Sequence, residues 1–278
     1  MSALPHAPQP IAPGVVRVIA PNPSPMTADG TNSYVVGTGP CAIIDPGVND
    51  GDHLDALIAA APGEIAAVLV THAHPDHTGG ARELGQRLDV PVVAHATPLR
   101  GVRDRDFFAD RWLDDGQRLA FGDTTLEVLH TPGHTADHLC FFWREAGLLF
   151  AGDTVMADVT VVILGPDGGM SAYLDSLARL RQLPVERIAP GHGRMLDEAP
   201  AVLAQIVDHR LAREAQVRAA LAEHAHVTAD AIAERLYPDL DPRLRGMAAA
   251  QVESHLQRLA ELGEARTQDE DSWQPIPR

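Results

Sequence analysis

The chain has 278 residues, 45% of them hydrophobic and 4% aromatic, with a formal charge of −16; this is enough apolar material for one large core, or a core and a small satellite, and it excludes a disordered chain. The acidic balance excludes nonspecific attraction to a nucleic-acid backbone or an anionic membrane surface without a local basic patch, and no basic run is visible. All 22 basic residues are arginine, which excludes Schiff-base, Walker-lysine and Ser-Lys mechanisms.

No run approaches the roughly 18 apolar residues of a membrane span, and the opening MSALPHAPQP has neither a basic nor an apolar leader region, so a cytoplasmic chain without a membrane partner is expected. The first sixty residues read as short strands between Pro/Gly turns: GVVRVIA, SYVVGTG and CAIIDPG. From about residue 52 the pattern alternates, with a helix around Leu54 to Ala61, the strand AAVLVTH, the helix GGARELGQRLD and the strand VPVVAH. The stretch 99–112, LRGVRDRDFFADRW, nearly balances its acids and bases; it reads as a mobile surface loop rather than a gate or an anion contact. Strands resume at TTLEVLHT, HLCFFWRE and LLFAGD, followed by the helix MSAYLDSLARLRQL and the strand VERIAPGHG. Cys41 and Cys140 lie far apart in apolar, strand-like contexts and read as reduced packing residues.

After Gly193 the chain becomes helical and rich in Ala, Arg and Glu. A helix over Ala199 to Ala222, a second capped by Thr228, a third stopping at Gly263 and a short β-wing predict a small winged-helix-like domain. The division is therefore 1–195 for an α/β catalytic domain and 196–278 for the helical one.

The chemistry concentrates at strand ends. THAHPDHTGG, residues 71–80, sets His72 and His74 two apart in an extended segment, aimed the same way, while Asp76 and His77 lie past a proline-fixed bend and face elsewhere. One turn thus supplies two half-sites at the carboxyl end of a strand, where open α/β sheets build their sites. Ligand types recur in the same setting: His134 in LHTPGHTADH, Asp153 in LLFAGDT and His192 in RIAPGHG. Nitrogen and oxygen donors without cysteine suit two zinc ions with a carboxylate between them, and iron or manganese as the alternative.

These motifs resemble the metallo-β-lactamase superfamily: THAHPDH matches its His-x-His-x-Asp-His signature, and GHT, AGD and GHG follow in the family's order. The resemblance covers about residues 14–195 and implies a four-layer αβ/βα sandwich with metals along one edge. It implies that His72, His74 and His134 hold one zinc, that Asp76, His77 and His192 hold the other, and that Asp153 bridges. NPSPMTADGTNSYVVG, TPGHTADH and the helical tail look like the β-lactamase-like protein 2 branch, which resembles both endoribonucleases and acyl-carrier thioesterases.

Many superfamily members carry a small residue where this chain has His138. It is expected to face the cleft and contact substrate or supply a proton, packing on an inward strand face being the other reading. Tyr173 either reaches the pocket from its helix start or packs. Asp45 in AIIDPG is either the acceptor behind a ligating imidazole or a structural turn. His130 reads as core; His6, His53, His95, His209, His224, His226 and His255 form no ligand pair.

The expected function is dinuclear zinc hydrolysis by a metal-bridging hydroxide, oriented by Asp76, on a small or carrier-bound acyl substrate such as a thioester, lactone or lactam. The alternatives are a single-stranded RNA endonuclease and a mononuclear-iron persulfide dioxygenase. Residues 196–278 hold nine arginines against fifteen acids, which disfavours a nucleic-acid-binding wing and favours a dimerisation or lid element, hence a homodimer.

Overall fold

The computed structural model describes residues 7–96, 104, 107–157, 159–267 and 272–276. Seven strands form the first sheet in chain order: β1 (Gln9–Ala12), β2 (Val15–Ile19), β3 (Asn32–Val36), β4 (Cys41–Ile44), β5 (Ile65–Leu69), β6 (Val92–His95) and β7 (Arg111–Leu113). Its first half is antiparallel, and β4 to β7 pair in parallel. Helices α1 (Gly51–Ala60) and α3 (Ala81–Leu88) make crossovers between parallel strands, and a half-turn, α2 (Pro75–Thr78), precedes α3.

The second sheet has the order β12-β11-β10-β9-β8, with β8 (Arg118–Phe121), β9 (Thr124–His130), β10 (Leu139–Trp143), β11 (Leu148–Gly152) and β12 (Arg187–Pro190). Only β11 and β12 pair in parallel, joined through α4 (Met170–Leu180).

Alternation along the strands sorts apolar side chains into layers. Tyr34, Ile44 and Leu69 meet Leu126, Val128, Phe141 and Phe150 between the two sheets. The outer face of the first sheet is covered by α1 and α3 through Leu54, Leu57 and Leu84; that of the second is covered by α4 and the start of α5 (Ala199–Ala222) through Leu177, Leu180 and Leu203. The expected four-layer sandwich is the observed architecture.

A separate core joins the end of α5 to α6 (Ala229–Leu236), α7 (Arg245–Glu261) and the hairpin β13 (Ala265–Thr267) and β14 (Trp273–Pro275). Thr228 caps α6 by accepting from the Ala231 amide. The boundary drawn at residue 195 falls just ahead of α5, and this helix serves both cores: Ala199 and Leu203 in one, Val217 and Leu221 in the other. No described helix is long and apolar enough to cross a membrane. Cys41 and Cys140 are free and buried, as expected.

In the stretch 99–112, residues 99–103, 105 and 106 lie outside the described residues, as does His6. Its end departs from the loop reading, because Arg111 and Trp112 enter β7 beside β6 and Phe107 packs on the outer core.

Candidate metal centre

Parallel pairing brings strand ends together. Because β4 and β5 run the same way, Asp45 and Thr71 leave the first sheet side by side; because β11 and β12 do so, Asp153 and His192 leave the second side by side. The sheets are stitched at this rim by the Leu139 amide donating to the Thr71 carbonyl (2.7 Å) and the Asn32 amide to Gly191 (2.8 Å). The Asn32 side chain adds bonds to Pro190 and Gly193 (3.0 and 2.8 Å).

All seven expected ligand residues meet at that rim. His72 Nε2 and His134 Nε2 each lie 3.0 Å from His74 Nδ1. In the second group His192 Nε2 lies 3.3 Å from His77 Nε2 and 3.2 Å from Asp76 Oδ2. Asp153 divides its oxygens between the groups. Its Oδ2 faces His134 and His72 (3.6 and 4.0 Å), and its Oδ1 faces His77 and His192 (3.5 and 3.6 Å).

Local chain geometry explains the division. His74 caps α2 and Pro75 opens it, so the extended His72–His74 segment serves one group and the first turn swings Asp76 and His77 to the other. Gly191 passes so close that a Cβ there would sit 2.5 Å from Asp153 Oδ1 and 2.8 Å from the His77 ring, and one on Gly152 (φ +45°) would sit 2.7 Å from His138. Glycine in AGD and PGHG is a requirement of close approach.

The far side of each ring is held. Asp45 accepts from His77 Nδ1 (2.8 Å) and from the Thr71 amide and hydroxyl (2.8 and 2.7 Å). The Thr71 hydroxyl, donating to Asp45, accepts from His72 Nδ1 (3.0 Å). His134 Nδ1 donates to the Val162 carbonyl (2.7 Å) and His192 Nδ1 to Gly30 (3.3 Å). These partners assign the Nε2 lone pairs of His72, His77, His134 and His192 to the centre. Asp45 is thus the acceptor behind a ring, not merely a turn residue, and it holds the left-handed backbone (φ 48°) that lets it reach.

The donor set fits metal. In the first group three ring nitrogens converge within 4.8 Å of one another; one proton on His74 Nδ1 satisfies only one of two facing lone pairs, whereas one cation satisfies all three. Burial and mutual repulsion push His72 and His134 below the usual imidazole value and His74 down to about 4, keeping them neutral donors. In the second group burial pushes His77 down, but Asp45, Asp76 and Asp153 outweigh it and hold it up to about 10; this cluster stabilises positive charge. Asp153 Oδ1 is buried without a hydrogen bond, an atom a cation would satisfy.

Two expected catalytic residues stand elsewhere. His138 does not face the cleft: it is fully buried, its Nε2 accepts the Asp153 amide (3.0 Å), and its Nδ1 lies 3.0 and 3.1 Å from the hydroxyls of Thr131 and Thr154. It holds the main chain of Asp153. Tyr173 is also fully buried, with its hydroxyl donating to the Thr154 carbonyl (2.8 Å), so it packs rather than presenting a proton. Of the three expected catalytic residues Asp76 alone keeps access to solvent, its side chain 29% exposed.

One other histidine differs from its reading, while His95 ends β6 and His53 lies in the first turn of α1 as read. His130 is half-buried and stacked on His95 (centroids 4.0 Å apart) rather than core, and His53 is fully buried with Nε2 3.0 Å from the Ser33 hydroxyl. A residue the sequence reading passed over is Asp137, beside His138. Buried, with its carboxyl pushed up to about 6, it accepts from the Ala73 amide (3.0 Å) and the Thr135 hydroxyl (2.7 Å), tying the two ligand loops together.

Comparison with known proteins bears on this geometry. Residues 26–192 match the model of the metallo-beta-lactamase superfamily. The chain belongs to that superfamily. Its members are metal-dependent hydrolases, and so is this metallo-β-lactamase-fold enzyme. Residues 228–273 match the beta-lactamase associated winged helix domain, as the tail's pattern predicts. The chain is 31% identical over 260 residues to a beta-lactamase-like protein 2 homolog of Caenorhabditis elegans, covering 90% of this chain and 85% of that one. It is 37% identical over 232 residues to the atrochrysone carboxyl ACP thioesterase of Aspergillus chevalieri, covering 80% and 71%. Among solved structures, a beta-lactamase domain protein from Burkholderia ambifaria superposes with a TM-score of 0.84 at 22% identity, over 99% of this chain and 95% of that one. TTHA1623, solved in a di-iron-bound form, is 32% identical with a TM-score of 0.54, over 66% and 95%.

Proposed function

We propose that this metallo-β-lactamase-fold enzyme hydrolyses a carrier-bound acyl thioester at a dinuclear zinc centre. His72, His74 and His134 would hold one ion, Asp76, His77 and His192 the other, and Asp153 both. The observation that carries the reading is the division of Asp153: one oxygen faces each group of three, an arrangement that a single-ion site has no use for. The same observation disfavours a mononuclear-iron dioxygenase. The nitrogen and oxygen donors suit zinc and also accept iron or manganese, and TTHA1623 in its di-iron form makes iron the alternative to test.

Bound there, the two ions would supply a water that ionises near neutral pH and a Lewis acid for the acyl carbonyl. The chain's own residues do the rest. Asp45 and the Thr71 hydroxyl keep His77 and His72 in the tautomers that present Nε2. His138 fixes the Asp153 amide, and Asp137 fixes the spacing of the 71–78 and 131–138 loops. Asp76 is the expected contact for an attacking water, because its carboxylate lies at the open side while Asp153 is nearly enclosed. The substrate class is supported by the thioesterase relative and by the acidic tail, which lacks the charge a phosphate backbone would require.

The test is elemental analysis followed by a substrate panel on the loaded enzyme: an acyl thioester followed by thiol release, a lactone, a lactam and single-stranded RNA. Close to two zinc ions per chain and preferred thioester cleavage are expected. Dominant RNA cleavage that disappears in Asp76→Ala, or one iron with thiol-dependent oxygen uptake, overturns the proposal.

A further inference from the structure

Between β11 and α4 the chain passes through Val161, Val162 and Ile163, whose three carbonyls bond to two different parts of the protein. The Val162 carbonyl accepts from His134 Nδ1 (2.7 Å). The carbonyls on either side bond to the C-terminal helices: Val161 accepts from the Arg210 guanidinium of α5, and Ile163 accepts from the Ser254 hydroxyl (2.6 Å) and the Gln251 amide (2.9 Å) of α7. Arg210 in turn donates to Gln251 (3.0 Å), so the donors form one bracket.

We infer that the winged-helix domain positions a metal ligand. Through Arg210, Gln251 and Ser254 it grips the backbone on both sides of Val162 and thereby fixes the carbonyl that sets the tautomer and angle of the His134 ring. Arg210 and Ser254 are 3% and 2% exposed. A guanidinium is costly to bury unless its donors are engaged; this one is held over the Tyr173 ring (5.2 Å) with its two terminal nitrogens turned to Gln251 and Val161, while Nε is buried without a partner. The bracket also gives the C-terminal domain a task other than nucleic-acid binding, for which its charge is wrong.

The inference rests on the ligand assignment above, and its test needs no substrate. Full-length protein is titrated with cobalt(II) and then challenged with a chelator, reading the visible spectrum and the affinity of each ion. Arg210→Met keeps the stem over Tyr173 and removes the donors; the double variant Ser254→Ala with Gln251→Ala removes the other half of the bracket. Leu256→Val thins the C-terminal core, to which Leu256 belongs, and serves as the matched control for general destabilisation. Loss of a partner behind a ligating histidine weakens metal binding about 10–100-fold; the bracket variants are expected to weaken one ion by about tenfold or more and shift its spectrum, leaving the other ion unchanged. Leu256→Val should leave both ions as they are. Parent-like binding in both bracket variants, or equal weakening in Leu256→Val, overturns the positioning role alone. A parent protein that takes up no cobalt overturns the ligand assignment together with it. Two bound ions with no thioester cleavage would sink the proposed substrate and leave this role intact.

Discussion

Asp45→Asn is the sharpest single perturbation of the centre because it changes hydrogen bonding without changing shape. The residue is 1% exposed and sits at φ 48°, a conformation asparagine adopts readily, so backbone strain is unaltered. Oδ2 accepts from both the Thr71 hydroxyl and His77 Nδ1; Oδ1 accepts from the Thr71 amide. If the amide oxygen stays on the Thr71 amide, the new NH2 faces His77 Nδ1 at 2.8 Å, the present separation. His77 must then turn Nδ1 into an acceptor and carry its proton on Nε2, the atom meant for metal. The released Thr71 hydroxyl can also donate to His72 Nδ1, reversing that ring as well. If the amide flips, its NH2 opposes the Thr71 amide instead, and a buried donor is left unpaired at a cost of about 1–3 kcal/mol. One atom therefore controls a ring in each group of three. Metal affinity should fall about 10–100-fold per affected ion, with thermal stability reduced modestly. Chelator competition on the zinc-loaded variant, beside a thermal melt, measures both. Binding of two ions with the parent's affinity would refute the tautomer argument.

Gly191→Ala places a methyl 2.5 Å from Asp153 Oδ1; overpacking of this kind costs about 1–3 kcal/mol, and because the obstructed atom belongs to a proposed ligand, metal content should fall with stability. Parent-like metal content by elemental analysis would show that the strand end yields. Tyr173→Phe removes one hydrogen bond to the Thr154 carbonyl, so stability should drop by about 1 kcal/mol with kcat unchanged; a general acid would instead lose about 10²–10⁴-fold in rate. In the C-terminal core burial pushes His255 below the usual imidazole value, with Arg210 and Arg213 adding to the shift, and Glu214 is held below the usual carboxylate range by His255, Arg258 and Arg218 despite its burial. Both depressions contribute stability that is present above the unfolded-state pKa values and lost as pH falls, His255 first, below about 6.5. The difference in melting temperature between the parent and His255→Leu should therefore shrink as pH drops through that range, and a pH-independent difference would refute the assignment.

The fold was legible because its signals are local. Apolar runs of four to seven residues punctuated by glycine and proline marked β2 to β6 and β9 to β12, and the Ala-, Arg- and Glu-rich composition after Gly193 marked α5 with the ends observed. Strands β1, β7 and β8 escaped notice. Each is short, all three form sheet edges, and β7 and β8 carry exposed arginines, so neither alternation nor an apolar run announces them. The proposed ligands were legible for a related reason: the first four crowd one turn after a strand, and His134, Asp153 and His192 each follow a strand and stand beside a glycine that close approach demands, and such a glycine is written in the sequence.

What surrounds the ligands was harder to read, because it is set by tertiary direction. His138 precedes β10, and nothing in GHTADH says whether its ring turns to the cleft or inward; only the antiparallel neighbour β11, which delivers the Asp153 amide to Nε2, decides for the inside. Polarity misled at the same motif, since Asp137, the less conspicuous neighbour, joins the two ligand loops. Main-chain acceptors are less visible still. The carbonyls of Val162 and Gly30 hold two of the four assigned tautomers, and a carbonyl leaves no trace in residue identity. A donor set of side chains can therefore be read from one sequence, whereas the orientation of that set depends on backbone atoms that the fold alone brings within reach.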